Sequence, residues 1–73
     1  MNIKTLCRVS INGKVFRLAG LFQGEEKVAF AYRIYLGRRR WEPCDYPTID
    51  YALKVWCGLI ESRVVRLLSE GAL

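Results

Sequence analysis

Residues 3–22 read IKTLCRVSI-NG-KVFRLAGLF, and this stretch decides the fold. From Ile3 to Ile11 the odd positions are mostly apolar, the period-two pattern of a strand with one buried face. Lys14 to Phe22 follows, and Asn12-Gly13 stands between the two runs. A type I′ turn needs positive φ at both central residues, and Asn-Gly meets that need best. The stretch therefore predicts a β-hairpin. A two-residue loop also sets the register. Ile11 is expected to face Lys14, Val9 to face Phe16, Cys7 to face Leu18 and Ile3 to face Phe22, all on the core face. Lys4, Leu6, Arg8 and Ser10 then share the outer face with Val15, Arg17, Ala19 and Leu21, and Arg8 sits across from Arg17.

Working outward, residues 23–27 form a polar loop and Val28 to Leu36 alternate again. The larger side chains, Val28, Phe30, Tyr32, Ile34 and Leu36, are expected on the core face. That places Arg33 beside Arg17, so that Arg8, Arg17 and Arg33 make a ladder over three strands, with alanines 19, 29 and 31 keeping the face shallow. Gly37 ends the strand, and Arg38-Arg39-Arg40-Trp41 forms a basic turn. Pro43 keeps the next piece out of a central strand.

From Ile49 the apolar spacing changes to 3.6. Thr48 is placed to cap a helix and Asp50 suits its first turn. Ile49, Ala52, Leu53, Trp56, Ile60, Val64, Leu67 and Leu68 form the expected buried stripe. Gly58 weakens the middle of the helix by about 1 kcal/mol relative to alanine. A break there, with residues 63–68 as a fourth strand, is the competing reading. The predicted architecture is thus α+β: one domain over residues 1–73, a three-stranded antiparallel sheet packed by one C-terminal helix (βββα).

Composition narrows the function. The 73 residues are 52% apolar, which for so short a chain argues for apolar surface shared between subunits and hence a homo-oligomer. Tyr51, Val55 and Val65 lie off the buried stripe and are the candidate subunit or partner contacts. Twelve basic against seven acidic residues give a net charge of +5. Such an excess suits a polyanion, an anionic small molecule or an acidic protein. The three cysteines, Cys7, Cys44 and Cys57, are odd in number and widely spaced, so they read as buried free thiols rather than disulfides or a metal site. With no signal peptide and no long apolar run, the chain reads as cytoplasmic, without membrane contact.

The chain lacks histidine, the usual acid–base group near neutral pH. No phosphate-binding glycine motif occurs, and Cys44 sits among acids that disfavour its thiolate. An enzyme, a cofactor and a metal are therefore not expected. Arginines in a row can bind phosphate oxygens bidentately, and an indole beside arginines can stack on a base. Arg8, Arg17, Arg33, Tyr35, Arg38, Arg39, Arg40 and Trp41 are the candidate ligand-binding residues, for a nucleic acid or a nucleotide. The alternative is an inhibitor or adaptor of the kind phages and mobile elements encode, acting on an acidic protein through the same arginines.

Overall fold

The computed structural model describes residues 1–70. It contains β1 (Asn2–Ile11), β2 (Lys14–Phe22), β3 (Ala31–Leu36), β4 (Arg39–Arg40) and α1 (Ile49–Ser69). The strands form one antiparallel sheet in the order β1-β2-β3-β4. The expected α+β class and C-terminal helix are present. The sheet has four strands rather than three, the fourth very short and formed by Arg39–Arg40 of the expected basic turn.

Asn12 and Gly13 take φ of 50° and 80°, as a type I′ turn requires. From this turn the expected register runs as far as Cys7 opposite Leu18. Then Leu6 bulges out of the ladder, and Ile3 faces Leu21 rather than Phe22. A bulge inserts one residue and re-aims the chain beyond it, which periodicity alone does not reveal. The bulge, with Lys4 and Arg8, also blunts the open edge of β1 against pairing with another strand.

β3 begins at Ala31, three residues later than expected. Val28 and Phe30 lie in the preceding loop, exposed rather than in the core. A second two-residue turn, Gly37-Arg38, joins β3 to β4. Gly37 has φ of 63° and Arg38 has no positive φ, the pattern of a type II′ hairpin. The chain then follows β3 back. Trp41 N–H donates to Ile34 O at 2.8 Å, and Tyr32 and Tyr46 exchange two backbone bonds.

Thr48 caps α1, its Oγ1 accepting from Tyr51 N–H at 3.3 Å. The helix runs unbroken through Gly58, so residues 63–68 are helical and not a fourth strand. Its buried side is Ala52, Trp56, Leu59 and Leu67. Leu59 was missing from the expected stripe, whereas Ile49, Leu53 and Leu68, assigned to it, are exposed. The spacing is helical either way; what turned the helix is the position of the sheet. α1 lies over Phe16, Leu18 and Ile34, with Tyr46 completing the core. Full burial of each such side chain contributes roughly 1.5–3 kcal/mol.

The helix leaves β1 uncovered. Cys7 shares the core face with Leu18 yet is exposed, as are Cys44 and Cys57. All three thiols are free, and none is buried as expected. No helix among the described residues is long and apolar enough to cross a membrane.

Candidate anion-binding face

The sheet face turned away from α1 carries a transverse row. Arg8 pairs with Arg17, Arg17 with Tyr35, and Tyr35 with Arg40. At about 4.8 Å per strand the row spans roughly 14 Å. Arg33 faces Ala19, one rung along. The expected ladder of three arginines is therefore corrected: the third member of the rung is Tyr35, and Arg33 is diagonal to Arg17. A start for β3 counted from loop length put the arginine one pair too far along the strand.

Tyr35 holds the row together. The Arg17 guanidinium lies 4.5 Å from its ring centroid, within range for a cation–π contact. Arg33 Nη1 donates to the Tyr35 hydroxyl at 3.2 Å. Both the ring face and the hydroxyl are thus engaged.

Asp45 divides the arginines into two groups. Arg33 grips it through two bonds, Nε to Oδ1 at 2.7 Å and Nη2 to Oδ2 at 3.0 Å. Arg40 Nη2 reaches Oδ1 at 2.7 Å. These bonds, Arg33's first, hold the Asp45 carboxyl below its usual range. The same contact raises Arg33 above its own ordinary value. The acid was not anticipated as part of this face. It lies on an irregular segment flanked by prolines, where no periodicity says which way a side chain points.

On the other side of Tyr35 the arginines meet no acid among the described residues. Arg8, Val15, Arg17, Gly37 and Arg38 line an open depression of about 500 Å³. None of its three arginines has an ion pair among the described residues. The Gly37 turn is what brings Arg38 across to Arg17.

The basic turn does not act as one unit. Arg40 shares the outer face with Tyr35, whereas Arg39 pairs with Leu36, which packs on the core. Trp41 is 39% exposed and lines a trough on the helix side with Val55 and Gly58. Tyr46 is buried, its hydroxyl donating to Glu42 Oε1 at 2.7 Å. Burial first, and then that carboxylate, push its phenol up. Neither Trp41 nor Tyr46 is brought to the arginine depression. Among the subunit-contact candidates, Tyr51 and Val65 are exposed, while Val55 is half-buried and touches the core.

Compared with family models, with curated proteins and with solved structures, the chain has no match to any of them.

Proposed function

We propose that the chain is a non-catalytic binding protein whose Arg8–Arg17–Arg38 corner takes phosphate groups of a nucleic-acid backbone. The observation that carries this reading is the contrast on one face: Asp45 occupies Arg33 and Arg40, and the depression beside them holds three arginines with no carboxylate in its lining. Unpaired guanidinium groups gathered this closely repel one another. An anion lying across them removes the repulsion and accepts charge-assisted hydrogen bonds.

A polymer suits the site better than a free nucleotide. The depression is open, and its lining has no aromatic side chain. Tyr35, the nearest ring on the face, is already covered by Arg17. A base therefore finds no open aromatic face to stack on, which favours recognition through phosphates. A duplex offers many of them at regular spacing, and an open sheet face is able to enter a major groove.

The test is fluorescence anisotropy of a labelled DNA duplex titrated with protein at several salt concentrations. Three phosphate contacts predict a slope of log affinity against log salt of about −2 to −3. Arg17→Glu is expected to weaken binding roughly thirty- to hundredfold, about 2–3 kcal/mol, with the fold intact by circular dichroism. An unchanged affinity removes this face from the mechanism. A mononucleotide that binds as tightly as the duplex overturns the polymer reading.

A further inference from the structure

α1 carries a second pattern, most of it exposed, of which the core takes only one flank of Val55 and Tyr51 meets Tyr46. Tyr51, Val55, Gly58, Ser62 and Val65 follow one another at spacings of four, three, four and three residues. This is the heptad spacing of a coiled-coil seam. Tyr51 and Val65 are 56% and 54% exposed, so its two ends lie open to solvent. At the centre a side chain on Gly58 would meet nothing within 4 Å. The glycine weakens the helix there without serving any contact inside the chain. Beside the seam, Trp41 and Leu59 together with the basic Arg63 and Arg66 wall a trough of about 400 Å³.

We infer that this seam pairs with the same seam of a second copy of the chain, antiparallel, with the two helices crossing at Gly58. The ends of the pattern are equidistant from that residue, and the inner members are offset by one, Val55 three positions before it and Ser62 four after. Tyr51 lies seven positions before it and Val65 seven after, so a two-fold axis at Gly58 sets Tyr51 of each copy against Val65 of the other. Glycine and Ser62 at the crossing let the two backbones approach closely.

Charge fixes the direction. Lys54 and Glu61 occupy equivalent flanking positions beside the seam, each just before a seam residue. Both are exposed, and neither has an ion pair among the described residues. In an antiparallel pair these equivalent flanks meet. Lys54 lies four residues before the crossing and Glu61 three after, so at 1.5 Å per residue they come within about 1.5 Å of the same level. The two-fold axis makes the pair twice. In a parallel arrangement Lys54 would meet the opposite flank, which carries Ala52, Leu59 and Arg66 and offers no acid. The arginine face lies on the far side of the sheet, so the dimer displays two such faces and leaves both uncovered.

Sedimentation equilibrium of the full chain across the micromolar range tests this pairing. The wild type is expected to approach twice the chain mass. The Cβ of Gly58→Leu meets nothing in the single chain and its side chain fills the crossing, so the variant is expected to give a folded monomer. Lys54→Glu sets like charges together and is expected to weaken association at least about tenfold. The double swap Lys54→Glu with Glu61→Lys is expected to restore it. Within one helix these two residues stand about 10 Å apart, so an intrachain contact does not explain such a rescue. A wild-type monomer throughout, or a dimer indifferent to Gly58→Leu and to the charge swap, overturns the inference. Duplex affinity of the arginine corner, measured per chain on the monomeric variant, reports separately on that site.

Discussion

The outer face has two halves built from the same residue type in opposite electrostatic states. On one side of Tyr35, Arg33 and Arg40 close on Asp45. On the other, Arg8, Arg17 and Arg38 surround a depression with no acid in its lining. The closed half is partly shielded, with Arg33 and Asp45 side chains 15% and 27% exposed. It anchors the returning chain that follows β4 and so serves stability. The open half has one such contact, Arg17 on the Tyr35 ring, and no ion pair among the described residues that neutralises its charge. An arginine count thus measures free positive charge poorly; the position of one aspartate sorts the arginines into paired and unpaired groups.

Asp45→Asn is the sharpest way to break this division. It removes the charge that holds Arg33 and Arg40, and is expected to cost about 1–2 kcal/mol in urea unfolding, reduced from a buried ion pair by partial exposure. The same change releases two arginines to the ligand face. Duplex affinity is therefore expected to rise a few-fold while stability falls. A parallel loss of both would show that the closed half also positions the open one.

Acid should erase the division more gradually. The Asp45 carboxyl lies below its unfolded value, so its stabilisation is present above the unfolded pKa and is lost as pH falls through the folded one. Urea midpoints of the wild type and Asp45→Asn are expected to differ at neutral pH and to converge as the folded-state carboxyl becomes protonated in acid. A gap that persists in strong acid would place the effect in packing rather than charge.

Tyr35→Phe probes the boundary and has the smallest expected effect. It removes the acceptor of the Arg33 bond but keeps the ring under Arg17. A loss of about 0.5–1 kcal/mol in stability is expected, with duplex affinity nearly unchanged. A large loss of affinity would give the hydroxyl a role in ligand contact.

Much of the fold was legible from residues close in the chain. Asn12-Gly13 specified its turn because few residue pairs tolerate two positive φ values. Thr48 specified the helix start because its hydroxyl satisfies a backbone donor that the helix leaves open. Gly58 did not break the helix, since a penalty of about 1 kcal/mol is small beside the burial of Trp56 and Leu59. The site was only half legible. Arg8 opposite Arg17 followed from the turn, two strands joined by a fixed loop. Arg33 fell on another rung because the 23–30 segment is a longer loop than polarity suggested. The side chains of residues 38–41 divided between two faces once β4 joined the sheet.

The sequence by itself determined what is local: the hairpin turn, the strand alternation beside it, the helix and its cap, and the positive charge. Only the tertiary structure decided which arginines are spent on Asp45, which remain open, and which side of the helix is buried. Backbone dihedrals and capping bonds depend on neighbours a few residues away. Charge pairing and burial depend on distances between segments that meet only when the sheet closes around its core.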